Sequence, residues 1–264
     1  MRTEGFPPFP DPGFAAMAIR TAFQPIVELR SRTIYAYEAL VRGPSGESAE
    51  SVFGPSNPSG LAALDHLIRL TALRTAKRLG IAVKLSVNLF PQVDGCPSAS
   101  IRQTLDVADR EGFPVDQLIF EITESARVPR PGRLRDFIAL HREIGFQTAI
   151  DDFGAGHSGL GLLSEFRPDI VKLDMAFARH APAHARSRTI IRNIFRTASQ
   201  LGCKVIAEGV ETQEESDVLS DLGISCQQGY LFSMPQLEVL AAVQWPATHA
   251  RERALPLDEL RPSP

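Results

Sequence analysis

One phrase recurs along this chain: an apolar-faced helix, a glycine, a short apolar strand, then a polar residue where the strand should close. In LAALDHLIRLTALRTAKRLG, the residues Leu61, Leu64, Leu67, Ile68, Ala72, Ala76 and Leu79 keep a helical period, and Gly80 is placed as the C′ residue. IAVKLSVN follows and ends at Asn88, and GFPVDQLIFE reaches Glu121. LRDFIALHREIG reads as a helix with Leu134, Phe137, Ile138 and Ile144 on one side, leading into GFQTAID. TIIRNIFRTASQLG leads into CKVIAE, ending at Glu208. TQEESDVLSDLG opens with a capping-box pattern, Thr212 to Glu215, and leads into ISCQQ, ending at Gln228.

Alternation of this kind implies a parallel sheet with crossover helices. The polar residues recur at about the spacing of a βα unit. In a (βα)8 barrel all C-terminal strand ends open on one face, whereas a doubly wound sheet gathers ligands at a single switch point. Only the barrel brings six or seven strand ends together, so a TIM-type α/β barrel is the predicted fold.

Bulk properties narrow the function. The chain has 264 residues, 44% of them hydrophobic and 22% charged, with a formal net charge of −3. That charge supplies no basic field for a large nucleic acid, while leaving room for a small nucleotide held by local cations. Cys96, Cys203 and Cys226 form no CxxC pair, and the six histidines show no HxH or HxxxH spacing. Buried thiols in a reduced, cytoplasmic protein are expected, without a zinc or redox site. No apolar run is long enough to span a membrane. Residues 1–19 read as a flexible lead-in, 20–248 as one domain and 249–264 as a peripheral tail. The lead-in leaves no room for a sensor domain, so the chain reads as a stand-alone domain or an excised piece.

AIDDFGAGHSGL poses a local problem. Neighbours on a regular strand face opposite ways, so Asp151 and Asp152 can serve one site only if the strand ends there. Held close, they repel unless a cation or shared proton intervenes. The polar residues that close the phrases are Glu38, Asn88, Glu121, Asp151, Asp152, Lys172, Glu208 and Gln228. An oxygen-only donor set of this kind suits Mg²⁺ or Mn²⁺ and not zinc. Carboxylates in excess of one ion's needs point to two ions with Asp151 between them, the arrangement used for phosphoester hydrolysis. Singly, each acid could equally cap a helix or pair with a surface lysine, and Lys172 with Asp174 could be a structural ion pair.

The ordered series FQPIV (23–27), EALVR (38–42), SVN (86–88), FEITES (120–125), DDFGAG (151–156), VKLD (171–174), AEGVE (207–211) and QGY (228–230) resembles the EAL family of cyclic di-GMP phosphodiesterases. The resemblance covers about residues 20–248 and implies a barrel whose first strand runs against the others. It implies hydrolysis of cyclic di-GMP to linear pGpG by in-line attack of water with two Mg²⁺ or Mn²⁺ ions, in a bacterial cytoplasm. By the same resemblance, Glu38, Asn88, Glu121 and Asp151 hold one ion, and Asp151, Asp152 and Glu208 the other. Lys172 and Gln228 position water and offset charge. Gln24, Leu40 and Arg42 contact substrate, and Phe232 and Pro235 either wall the base pocket or belong to the core. Glu124 and Glu211 support the loop DFGAGHSGL, which carries dimer contacts in the family. His157 stands where the family usually has an aromatic. A homodimer and a regulatory or sensor partner are implied. The alternatives are a catalytically silent cyclic di-GMP binder and, more remotely, an enolase-type barrel, which the adjacent aspartates and Arg42 disfavour.

Overall fold

RTAFQPIVE forms β1 (Arg20–Glu28), the one strand that runs against the rest. Its burial is continuous from Thr21 to Val27, as expected of a strand covered on both faces. In the computed structural model, which describes residues 19–53, 58–89, 97–123, 143–156, 161, 163 and 167–246, β1 pairs antiparallel with β2 (Thr33–Arg42) on one side. On the other it pairs antiparallel with β8 (Cys226–Gln227). Between these, β3 (Lys84–Asn88), β4 (Leu118–Thr123), β5 (Gln147–Phe153), β6 (Ile170–Leu173) and β7 (Lys204–Ala207) follow in parallel register from β2 round to β8. The ring closes as an eight-stranded TIM-type barrel. A short ninth strand, β9 (Gln236–Leu237), pairs with the start of β1 beyond β8.

The helices cover the outside. Pro58–Arg78 buries Leu64, Ile68, Ala72, Leu73 and Ala76. It ends where Gly80 takes φ +69° and the Ile81 amide reaches back to the Ala76 carbonyl, a left-handed C-terminal cap. Gln213–Asp221 begins with the full reciprocal capping box, Thr212 and Glu215 each accepting from the other's backbone amide. Pro97–Glu111 and Met175–His180 are helices that the periodicity does not single out. The expected helix 134–145 lies mostly outside the described residues, as do 1–18 and 247–264. No helix among the described residues is long and apolar enough to cross a membrane.

Inside the barrel, side chains alternate with period two and stack in layers. Ile26, Ala36, Ile119, Ala149, Ile170, Ile206 and Cys226 form one closed apolar cluster. Two positions further along each of these strands, toward the C-terminal ends of the parallel ones, stand Gln24, Glu38, Glu121, Asp151, Lys172, Glu208 and Gln228. On β3 the same step runs from buried Ser86 to Asn88. The polar residues are therefore the layer directly above a hydrophobic floor. Strand closure is a poorer description of them. Asn88 does end β3, but Glu38 has four residues of β2 beyond it, and Glu208 and Gln228 fall one residue past β7 and β8.

Candidate active site

The adjacent aspartates converge by a different route from strand termination. β5 continues to Phe153, but its register with β6 breaks between Ile150 and Phe153. Ile150 pairs with Val171 and Phe153 with Leu173, so Asp151 and Asp152 together lie opposite Lys172. This is a β-bulge, two residues against one, which re-aims a side chain without ending the strand. Asp152 pays for it in backbone conformation, with φ +54°, a left-handed value costly for a non-glycine residue.

Lys172 is the hub of the layer. It is 1% exposed. Its Nζ lies 2.7 Å from Glu208 Oε1, 2.9 Å from Glu121 Oε2, 2.9 Å from Asp151 Oδ1 and 3.5 Å from Glu38 Oε2. Side-chain amides and a hydroxyl fix the acids from the other side. Ser86 Oγ donates to Glu121 Oε1 at 2.6 Å, and Asn88 Nδ2 reaches Glu38 Oε1 at 3.5 Å. Gln228 Nε2 donates to Glu38 Oε2 at 2.7 Å and to Gln24 Oε1 at 3.1 Å, while Gln24 Nε2 donates to the Ser233 carbonyl. Two glycines let the supporting loops approach. Gly209 takes φ +63° against Met175, and a Cβ on Gly229 would collide with the Val210 backbone. There the Val210 amide bonds the Gln228 carbonyl and the Gln228 amide bonds the Ala207 carbonyl, tying the β7 and β8 ends together.

The electrostatics are lopsided. Burial alone would lower the Lys172 pKa, but Asp151, Glu121, Glu208 and Glu38 outweigh it and hold the ammonium well above its usual value. Burial, then the nearby Glu38 charge, push the Glu121 carboxyl up to about 8 despite Lys172. Burial, then Asp151, raise Glu208 well above the carboxylate range. Asp152 has solvent at its edge, yet partial desolvation and then Asp151 lift it too. Asp151 Oδ1 is buried, and among the described residues the group that meets it is the Lys172 ammonium at 2.9 Å. Carboxylate oxygens of Asp151, Asp152 and Glu208 lie within 4.8 Å of one another. A hard divalent cation fits the oxygen-only donors of that triplet.

Other anticipated residues stand at varying distances from this cluster. Gln24, Leu40 and Glu211 line the same cleft of about 200 Å³ as Glu38, Glu208 and Gln228. That volume is below the usual range for an enclosed small-molecule site, so a ligand of ordinary size would extend beyond the cleft. The Arg42 guanidinium donates to the Val41 carbonyl at 2.7 Å. Phe232 has no exposed surface and packs in the main core, and Pro235 is half-buried beside β9. Glu211 pairs with Arg179 at 2.7 Å. Glu124 and His157 lie outside the described residues. Ser86 and Arg179 were not singled out from the sequence. Ser86 carries a legible signal, since it precedes Asn88 by one strand period.

Comparison with known proteins agrees with this geometry. The EAL domain profile matches residues 13–235. RocR, a cyclic di-GMP phosphodiesterase of Pseudomonas aeruginosa, is 34% identical over 64% of this chain and 43% of its own. The blue light- and temperature-regulated antirepressor BluF of Escherichia coli is 30% identical over 85% of this chain and 56% of its own. The chain spans between 27% and 56% of the length of such curated relatives. A standalone EAL protein from Vibrio cholerae O395, in its c-di-GMP-bound form, has TM-score 0.83 and 40% identity, covering 87% of this chain and 97% of that one. Klebsiella pneumoniae BlrP1, in a manganese/cyclic di-GMP complex, has TM-score 0.82 and 32% identity, covering 88% and 59%. The matched profile takes in the whole polar layer, and this chain belongs to the EAL domain family.

Proposed function

We propose that the chain hydrolyses cyclic di-GMP to linear pGpG with two divalent ions, Mg²⁺ or Mn²⁺. The observation that carries the reading is the polar layer itself: Glu38, Glu121, Asp151, Asp152 and Glu208 gathered around Lys172. Support also comes from RocR, named a cyclic di-GMP phosphodiesterase, and from BlrP1, solved with manganese and with calcium. Glu38, Asn88, Glu121 and Asp151 would hold one ion, and Asp151, Asp152 and Glu208 the other. Bound there, the ions would polarise phosphoryl oxygens and acidify water.

The chain's own groups do the rest. Water attacks phosphorus in line with the departing 3′ oxygen, and the P–O3′ bond breaks. Lys172 holds a fixed positive charge where negative charge grows on the phosphoryl oxygens, and its burial removes competing solvent. Gln228, 3% exposed, has its Oε1 buried without a partner among the described residues, an acceptor available to the attacking water. Its Nε2 meanwhile fixes Glu38. Gln24 braces that amide, and Leu40 shapes the cleft wall. Arg42 would swing from the Val41 carbonyl to a phosphate oxygen. A homodimer paired through the loop after Asp152, and a regulatory partner, complete the proposal. Their signature would be activity that rises with protein concentration.

A second reading, a binder without turnover, is favoured by one relative: BluF is named an antirepressor. Incubation with cyclic di-GMP and Mn²⁺ separates the readings. The enzyme yields pGpG, lost in Glu38→Ala; binding without product identifies the silent domain.

A further inference from the structure

Away from the acidic layer, two histidines stand together. Contrary to the histidine pattern stated above, one HxxxH spacing is present: His180 and His184, in HAPAH. His180 ends the helix Met175–His180, and His184 is the N-cap of the next one, Ala185–Gln200. The step between them keeps the form of one helical turn. The His184 amide donates to the His180 carbonyl at 3.1 Å, and residues four apart on such a turn are neighbours on one side. Arg188 Nη1 locks the turn by donating to the Ala181 and Pro182 carbonyls at 2.8 and 2.9 Å. Ala181 is buried in the main core, which leaves both imidazoles on the open side with ring centres 5.7 Å apart. The His184 side chain makes no capping hydrogen bond, and neither imidazole has a hydrogen-bond partner among the described residues. Of the flanking arginines, Arg179 is paired with Glu211, Arg188 is held by the turn carbonyls, and Arg186 is exposed, where solvent and salt screen it.

We propose that His180 and His184 chelate a divalent transition ion of the kind that prefers imidazole: Ni²⁺, Cu²⁺ or Zn²⁺. Neutral imidazole nitrogen suits these ions, whereas Mg²⁺, Mn²⁺ and Ca²⁺ prefer oxygen donors like those of the acidic layer. The two sites thus sort ions by ligand chemistry. An ion about 2.1 Å from one nitrogen of each ring would set the ring centres roughly 4.5–5.5 Å apart. The observed 5.7 Å needs only small side-chain rotations to reach that range. Among the described residues no third side-chain ligand joins the pair, and water completes the shell. Affinity comes from the turn: once one imidazole holds the ion, the other is present at high effective concentration. The bound ion ties the end of Met175–His180 to the start of Ala185–Gln200. The first of these helices has six residues, too few to persist without tertiary support. It starts from its cap Asp174, two residues after Lys172, and carries Met175 and Arg179 of the cleft wall, so an ion here braces that wall from outside. The competing account is a bare edge-to-face ring contact, which explains the proximity and predicts no ion.

The test is a calorimetric Ni²⁺ titration of the whole chain in excess Ca²⁺, which competes for the acidic layer, with Cu²⁺ paramagnetic resonance beside it. His180→Phe and His184→Phe keep the ring contact and remove the nitrogens. The unaltered protein should bind Ni²⁺ saturably and melt at a higher temperature in its presence. Its Cu²⁺ spectrum should show two equatorial imidazole nitrogens. Each variant should bind Ni²⁺ about 10²-fold more weakly, the scale of losing a linked second contact. Each should also lose the thermal shift with Ni²⁺ while melting as the unaltered protein does in EDTA. Ni²⁺ binding that survives intact in either variant overturns the site, as does the lack of saturable binding by the unaltered protein. A Cu²⁺ spectrum of the unaltered protein with fewer than two imidazole nitrogens overturns it without recourse to any variant. None of these outcomes bears on the proposed function, which rests on the acidic layer.

Discussion

The barrel interior has two polar layers, one at each end, and they are built on opposite rules. At the lower end, Glu28 pairs with Lys204 at 3.1 Å, Lys204 lies 4.7 Å from the Tyr35 ring centre, and the Tyr35 hydroxyl donates to Gln147 at 3.3 Å. Glu28 and Lys204 pair one to one, with the neutral Tyr35 and Gln147 beside them. Burial opposes the Glu28 charge, but bonds from Ser225 and Lys204 prevail and hold its carboxyl below the usual range. At the upper end five carboxylates face a single ammonium, and Glu121, Glu208 and Asp152 are all driven upward. The same fold and alternation produce both layers. A stable interior would look like the lower one, so the excess charge above is tolerated for a cation that balances it.

The largest effect should come from Lys172→Met, which removes the upper layer's own counter-charge. Turnover of cyclic di-GMP should fall by about 10²–10³-fold, the scale of losing one preorganised charge at a transition state. Metal-free protein should also lose about 3–5 kcal/mol of stability, as when a buried ion pair is broken on one side. Mn²⁺ should restore the melting temperature and not the turnover. Unchanged turnover would place the chemistry elsewhere.

Next in size is the pH response of the two layers. Glu121 stands at about 8 in the folded chain against an ordinary 4.5, so the folded state keeps a proton that the unfolded chain releases. Its stabilising proton is fully present below pH 4.5 and is lost as pH rises to 8. Lys172 stays charged throughout that window and adds no slope. Glu28 is shifted the other way, so its contribution is lost only on acidification below pH 4.5. Metal-free protein should therefore melt higher at pH 6 than at pH 8. Glu121→Gln should reduce that slope, leaving the part that Glu208 and Asp152 contribute, and stabilise the pH 8 state by on the order of a few kcal/mol. A slope unaltered by the substitution would show that Glu121 is not its source.

The smallest effect sharpens the contrast from below. Tyr35→Phe deletes one hydrogen bond of the lower layer and should cost about 1 kcal/mol in denaturant melts. Turnover should not change, because the apolar layer of Ile26, Ile119, Ile170 and Ile206 separates this end from the cleft.

Much of the upper layer was legible as polar residues closing short apolar strands, although the two-residue step that sets them above an apolar floor emerged only with the fold. Ala36 and Glu38, Ile119 and Glu121, Ile170 and Lys172, and Ile206 and Glu208 each show floor and site on one strand. The capping box at Thr212 was legible because its partners are local in sequence. What the residues did not disclose depends on partners distant in sequence. The Asp151–Asp152 pair looked like a strand end, because a bulge exists only relative to the register of β6. Nothing in RTAFQPIVE states its direction; only the resemblance supplied it, and pairing with β2 and β8 bears it out. Arg179 sits on a six-residue helix with no apolar period to flag it, and acquires its neighbour Glu211 only through the fold.

The most direct measurement is a calorimetric Mn²⁺ titration of metal-free protein near pH 7.5, repeated in buffers of different ionisation enthalpy. The upper layer predicts saturable binding with proton release, as cations displace protons from the raised carboxyls, and loss of that binding in Asp151→Asn. Absence of saturable binding, or binding indifferent to Asp151→Asn, would contradict the view that this layer is built for a divalent cation.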